Sequence, residues 1–224
     1  MIEIKGVCKK YTNNEYDNWV IQDINLLIRE GTFTSIVGRS GSGKTTLLKI
    51  MGGLLKPDKG TVFFDDNNLY SSKESFLNEF RSREMGFVFQ DFLLEKEYTV
   101  YQNVEIALMI SGVTRKEREK LVQNALQIVN LSEKRMEKVK KLSGGEIQRV
   151  SIARAIVNDP KYIFADEPCG NLDYENGRIV MNYLRSLVEL GKTVVLITHN
   201  LEDAALTDEI VTISDGRIVN CEEI

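Results

Sequence analysis

Apolar residues fall along this chain in two rhythms, and each change of rhythm marks an element. Met1 to Val7 alternates apolar and polar positions around Ile2 and Ile4, as on a half-buried edge strand that ends at Lys9-Lys10-Tyr11. The polar run Thr12-Asn13-Asn14-Glu15 reads as a turn, and 19–28 (WVIQDINLLI) as a second strand. Arg29-Glu30-Gly31 turns the chain into a short β-favouring run at 32–37 (TFTSIV). Thr46 to Met51 (TLLKIM) carries the apolar face of a helix in its first turns. Lys56-Pro57-Asp58-Lys59-Gly60 breaks the structure before a strand at 61–64, and 65–68 form a further turn. The charged stretch 72–83 is helix-compatible, and 86–89 is a short strand ending at Gln90.

From Val100 to Lys141 the period lengthens. Val104, Leu108, Val122, Leu126 and Val129 recur at helical spacing among many Lys and Glu, which predicts a mostly helical lobe. Strands return at 162–165 and 193–198. Both are apolar at nearly every position, as in a parallel sheet covered on both faces. Helices are expected at 147–157 and at 176–190, the latter ended by Gly191. The tail, 210–213 and 217–220 around Asp215-Gly216, is a hairpin by its D-G turn. No repeat or low-complexity segment interrupts this order.

Bulk properties narrow the picture. A chain of 224 residues can bury one substantial core, or one core with a smaller inserted lobe. Its 29 basic and 33 acidic residues leave a net charge of −4, so no basic field points to nucleic acid as a partner. Cys8, Cys169 and Cys221 are scattered, odd in number and without metal-type spacing, and read as reduced cytosolic thiols. The first residues lack the apolar core of a signal peptide. No window approaches the ~18 uninterrupted apolar residues of a membrane span, so a chain soluble by itself is expected.

Candidate chemistry begins at Gly38-Arg39-Ser40-Gly41-Ser42-Gly43-Lys44-Thr45. The spacing is G-x-x-x-x-G-K-[ST], and a strand before it and a helix after it supply the context of a phosphate loop. Gly38, Gly41 and Gly43 free the backbone to turn successive N–H groups inward. The helix N-terminus adds unpaired donors and partial positive charge. In such a loop Lys44 reaches the β- and γ-phosphates, and Thr45 offers its hydroxyl to Mg²⁺. Arg39, Ser40, Ser42 and Thr46 complete the cradle. Farther on, the strand at 162–165 ends in two carboxylates. Asp166 is placed to order the Mg²⁺ shell and Glu167 to polarise an attacking water, although an ordinary acidic turn has the same composition.

Leu142-Ser143-Gly144-Gly145-Glu146, ahead of the helix at 147–157, offers a second glycine-freed N-terminus for an anion. One nucleotide does not need two cradles from one chain. With Ile147-Gln148-Arg149 behind it, this segment resembles the signature motif of the ATP-binding cassette (ABC) ATPases. Other motifs of that family follow in order. Gln90 resembles the Q-loop glutamine, Asn171-Leu172-Asp173 the D-loop and His199 the switch histidine. Tyr11 stands where the family places an aromatic ring on adenine, although Tyr16 and Trp19 lie close enough to take that part. The resemblance covers essentially all 224 residues.

That resemblance implies an α/β, RecA-like P-loop NTPase core with a mostly parallel sheet, an antiparallel β subdomain and an inserted α-helical subdomain. The core and β subdomain would span 1–90 and 151–224, and the helical signature subdomain 91–150. It implies ATP and Mg²⁺, with Thr45, Gln90 and Asp166 around the metal and Lys44, Gln90, Glu167 and His199 in catalysis. It also implies a second cassette, the same chain or a paralogue, packed head to tail. Ser143, Gly144, Gly145 and Glu146 of each copy would close over the ATP of the other, with Asp173 at the interface. A membrane permease is the further implied partner, holding the chain on the inner face of the cell membrane and choosing the cargo. Asp91 to Tyr98, with Phe92, Leu93 and Leu94, is the expected contact, or else packs within the lobe.

Glu167-Pro168, Gly170-Asn171-Leu172-Asp173 and the approach Phe87-Val88-Phe89-Gln90 resemble the ATPases of lipoprotein-release, macrolide-export and antimicrobial-peptide-resistance systems. A cell-division regulator signalling through a membrane partner has the same motifs. Soluble ABC ATPases of DNA repair or translation would need a coiled-coil insertion or two cassettes, and neither is present. Two departures stand out. Cys169 takes the place of a usual Thr or Ser, as a neutral substitution or a redox-sensitive thiol. Prolines common after the Q-loop and before the signature are replaced by Glu95-Lys96-Glu97-Tyr98 and Val139-Lys140-Lys141.

Overall fold

The computed structural model of the chain describes residues 1–13, 16–71 and 73–224. Positions 14 and 15 of the expected first turn and Ser72 of the expected charged helix lie outside these. The N-terminal alternation builds β1 (Ile2–Asn13), which pairs antiparallel with β2 (Tyr16–Ile28) on one side and β4 (Lys59–Phe64) on the other. Ile2 thus stands between Ile28 and Phe64, and Ile4 between Leu26 and Val62. β1 is an interior strand rather than the expected edge, because alternation reports how many faces are buried and not how many neighbours are paired. Within the expected turn at 65–68, Asn67–Asn68 pairs with β4 as a minimal β5, giving the order β2-β1-β4-β5.

A second sheet of six strands has the order β10-β9-β3-β8-β7-β6. Its members are β3 (Phe33–Val37), β6 (Met85–Phe89), β7 (Tyr162–Asp166), β8 (Thr193–Ile197), β9 (Glu209–Ser214) and β10 (Arg217–Glu223). Pairing is parallel from β9 to β6. The antiparallel β9–β10 hairpin turns at Asp215 and Gly216, whose φ angles of 48° and 76° are both positive, as a type I′ turn requires. Period-2 alternation divides the apolar strands between two cores. Ile163, Ala165, Val194 and Leu196 face one, and Tyr162, Phe164, Val195 and Ile197 the other.

The second core also contains Leu47, Leu48, Ile50 and Met51 of α1 (Lys44–Met51) together with the inner face of the four-stranded sheet. The first is roofed by α3 (Val100–Ile110), α4 (Arg115–Ile128), α5 (Gly144–Ile156) and α6 (Tyr174–Glu189), after the peripheral α2 (Glu74–Glu84). Val104, Leu108, Val122, Leu126 and Val129 are all fully buried there, as their spacing predicts. A short α7 (Leu201–Ala204) precedes β9. Two helices start earlier than expected. Ser143 caps α5, so the signature glycines lie inside its first turn. Asp173 caps α6, accepting from the Asn176 N–H at 2.9 Å. Among the described residues no helix is long and apolar enough to cross a membrane.

Candidate active site

β3 delivers the chain to the loop at 38–43 and α1 carries it away, so the loop backbone wraps a helix end. That end is left open: Gly43 supplies no side-chain cap, and no acidic residue occupies the first turn. The first i-to-i−4 bond runs from Leu47 N–H to Gly43 O at 2.9 Å, leaving the amides of Lys44, Thr45 and Thr46 ahead of it. Gly43 has φ 104°, and a Cβ there would sit 2.7 Å from Val20 O, so the turn admits only glycine. Lys44 is buried and folds back, donating to Gly38 O at 2.8 Å and Arg39 O at 3.0 Å. The buried Ser42 hydroxyl finds no protein partner.

β7 ends beside this loop. Thr45 Oγ1 donates to Asp166 Oδ1 at 3.1 Å, and burial pushes the Asp166 carboxyl above its ordinary range. Next along, Glu167 adopts a left-handed backbone (φ 48°) pinned by Glu167 N–H to Ile197 O at 2.9 Å and Gly170 N–H to Glu167 O at 3.0 Å. The strained turn aims its carboxylate at the second residue beyond β8: His199 Nδ1 lies 2.7 Å from Glu167 Oε2. Gln90, from the end of β6, tucks its amide against Gly170, and its carbonyl accepts from Asn171 at 3.1 Å. A cavity of about 550 Å³ is lined by Ser40, Gly41, Gly43, Lys44, Thr45, Thr46, Gln90, Glu167 and His199, and by Val20 of β2.

Val20 escaped the sequence reading; only the register of β2 against the loop brings it to the rim. Tyr11 is half exposed on β1 opposite Asn18. The ring of Trp19 is covered by the ammonium groups of Lys10 and Lys59 at 5.7 and 5.6 Å. Tyr11, Gly38, Arg39, Ser42, Ser143, Gly144, Gly145, Glu146, Asp166 and Asp173 do not line the cavity, although Asp166 reaches it through Thr45.

The start of α5 has the opposite finish to α1. Ser143 Oγ accepts from Glu146 N–H at 3.4 Å while Ser143 N–H donates to Glu146 Oε2 at 3.0 Å, a reciprocal capping box. A Cβ on Gly145 would come within 2.1 Å of Asn176 Oδ1, so glycine is what lets the starts of α5 and α6 touch. Cys169 donates to Gly177 O at 3.6 Å, and burial pushes its thiol up to about 12, which leaves little thiolate for oxidation.

The donor set suits a hard dication that arrives with phosphate oxygens. A hydroxyl and a carboxylate whose charge burial disfavours lie in contact beside the phosphate loop, and a cation there would offset that cost. No cluster of three or more His, Cys, Asp or Glu side chains suited to a metal occurs among the described residues.

Comparison with known proteins agrees with this geometry. A family model described as ABC transporter matches residues 21–170. The lipoprotein-releasing system ATP-binding protein LolD of Bacteroides thetaiotaomicron is 42% identical over 219 residues, covering 97% of this chain and 99% of that protein. The macrolide export ATP-binding/permease protein MacB of Vibrio parahaemolyticus is 36% identical over 98% of this chain and 34% of its own length. Among solved structures, the cassette MJ0796 has been seen as a dimer and in a dimeric post-hydrolysis state bound to ADP and Pi. Each superposes with a TM-score of 0.91 at 38% identity, covering 100% of this chain and 98% of that one. The fold is therefore that of a P-loop NTPase, and the chain belongs to the ABC transporter family as an ATP-binding, ATP-hydrolysing cassette.

Proposed function

We propose that the chain powers a membrane permease of the lipoprotein-release, macrolide-export or peptide-resistance kind, hydrolysing ATP at sites completed by a second cassette. The observation that carries the residue roles is the meeting, around one cavity, of an uncapped phosphate loop with the Thr45–Asp166 and Glu167–His199 pairs. Tyr11 stacks on the adenine. The amides of 41–46 and the Lys44 ammonium grip the phosphates, with Arg39, Ser40, Ser42 and Gly38 shaping the loop. Thr45, Asp166 and Gln90 would hold the Mg²⁺, which supplies charge neutralisation on the phosphate oxygens. Glu167, its carboxylate kept as an acceptor by the His199 N–H, takes a proton from the attacking water, and His199 steadies the charge that develops. Ser143 to Glu146 and Asp173, outside this cavity, serve the nucleotide of the partner copy.

In this reading 91–150 is the signature subdomain, set into a core made of 1–90 and 151–224. The segment 91–98 is tied to the core by Arg154, which donates to Phe92 O at 2.9 Å, and to the subdomain by Asn103, which accepts from Glu95 N–H at 2.8 Å. Beside it an apolar cavity of about 440 Å³, lined by Phe87, Phe89, Leu93, Ile106 and Ile110, is the proposed seat of the permease. That contact would keep the chain on the inner face of the membrane. Purified Glu167→Gln protein tests the core of the proposal. It should bind MgATP, accumulate as a dimer and hydrolyse at about a hundredth of the wild-type rate or less. Undiminished hydrolysis would remove Glu167 from the role of base.

A further inference from the structure

Glu146 poses a problem of charge. It is the third residue of α5, in the first turn of the helix end that is proposed to close on a second copy's triphosphate. A free carboxylate there would repel the anion that the helix end attracts. In the structure the carboxylate is turned back and matched. Oε2 accepts from Ser143 N–H at 3.0 Å, and Oε1 is ion-paired with the Lys134 ammonium. Lys134 reaches it from a 3-10 turn at 132–134, fixed by Lys134 N–H to Leu131 O at 3.1 Å and Glu137 N–H to Lys134 O at 2.9 Å. Pairing with Lys134, before the Ser143 amide, holds the Glu146 carboxyl below its ordinary range.

What remains at the helix end consists of donors. Ser143 Oγ is used as an acceptor, which leaves its hydroxyl hydrogen for an outside oxygen. The N–H groups of Gly144 and Gly145 lie ahead of the first i-to-i−4 bond, Ile147 N–H to Ser143 O at 2.9 Å.

We propose that Lys134 is a positioning residue of the composite site: by pairing with Glu146 it cancels the charge that would repel the partner copy's triphosphate and keeps the capping carboxylate turned away from it. This rests on the reading that the start of α5 faces the other copy's nucleotide. Lys134 touches no nucleotide in this role and acts through Glu146 alone.

The test is a double-mutant cycle. Lys134→Met removes the charge at similar length, Lys134→Arg keeps it, and Glu146→Gln removes the carboxylate's charge while retaining an oxygen for Ser143 N–H. Two quantities are read: the ATP concentration at half-maximal hydrolysis, and the ATP-dependent dimer fraction in a Glu167→Gln background. Lys134→Met is expected to raise the first about tenfold and lower the second, with the penalty shrinking as salt is added. Lys134→Arg should stay within about twofold of wild type. In the Glu146→Gln background, Lys134→Met should change nothing further. A penalty that persists in that background overturns the proposal, since Lys134 would then act on nucleotide or fold directly; so does the absence of any penalty in the wild-type background. Ser143→Arg tests the underlying reading separately. If it leaves ATP-driven dimerisation intact, α5 does not face the second copy, whatever Lys134→Met does.

Discussion

Two helices of this cassette begin at glycine-rich segments, and they treat their N-terminal donors in opposite ways. α1 has no side-chain cap and no acid in its first turn, and the Lys44 ammonium is spent on carbonyls of its own loop. α5 has a closed capping box, an acid in the first turn and a lysine paired to that acid. The difference lies in who completes the site. An open end is ready for a ligand within one chain, since phosphate oxygens can take over amides that nothing else satisfies and draw Lys44 from neutral acceptors to charged ones. A capped end is self-sufficient while the chain is alone, and retains one hydroxyl and two amides for a ligand brought by another molecule.

The sharpest way to break that comparison is to disable each end in turn. Lys44→Ala should weaken ATP binding to the separate chain about a hundredfold and take hydrolysis down with it. Ser143→Arg should leave that binding within a few-fold of wild type, as the loop and its cavity share no residue with 143–146. Its ATP-dependent dimer and its hydrolysis should fall to about a hundredth or less. Fluorescent-nucleotide titration and size exclusion separate the two outcomes. Equal loss of monomer binding in both variants would make the two ends one site in cis.

Much of this was legible in the sequence for a physical reason. The open end announces itself by composition, since glycines, a lysine and a hydroxyl at fixed spacing between a strand and a helix have one economical use. The sheet covered on both faces follows from the continuous apolar runs at 162–165 and 193–198, and the lobe from helical spacing; the single expected core proves to be two, one on each face of that sheet. What stayed hidden depends on partners distant in sequence. The placement of β1 inside its sheet needed β4; Val20 at the cavity rim needed the register of β2. The start of α5 was misread by three residues even though Ser143 and Glu146 spell a capping box, because two consecutive glycines weigh against helix. Nothing in the spacing of Lys134 announced its pairing with Glu146, which comes from a 3-10 turn across a loop.

A smaller effect sharpens the same contrast. Gly145→Ala adds a Cβ that would overlap the Asn176 side chain, with 2.1 Å to its Oδ1. The expected loss is ~1–3 kcal/mol of stability, read as a lower unfolding midpoint. Gly145→Ala with Asn176→Ala should regain part of it, because the two closest obstructing atoms belong to one side chain, while the Cβ at 3.1 Å stays. At the open end no such relief exists: an alanine at Gly43 meets the Val20 carbonyl and an unfavourable φ together. A double variant at 145 and 176 no more stable than Gly145→Ala alone would mean that α5 needs its glycine for backbone reasons as well.

The least perturbing test concerns the carboxyl that backs the open site through Thr45. Burial raises the Asp166 carboxyl from its ordinary 3.8, with Glu167 adding to the rise and the Thr45 hydroxyl and nearby lysines opposing it. A carboxyl whose folded pKa lies above its unfolded one binds more protons in the folded state across the interval between the two. Its contribution to stability is therefore present in acid below 3.8, and is lost as pH climbs through the raised value. At neutral pH the nucleotide-free chain carries an ionised group that its surroundings disfavour. Asp166→Asn keeps an oxygen for Thr45 and removes that charge, so without nucleotide it should unfold at a slightly higher temperature than wild type at pH 7, with the advantage narrowing toward pH 4. With MgATP present the order should reverse, because the asparagine forfeits the attraction to the cation. Matched thermal melts at the two pH values, with and without MgATP, decide it. If the variant were less stable without nucleotide as well, Asp166 would belong to the scaffold, and the open end would be no more prepared for a ligand than the capped one.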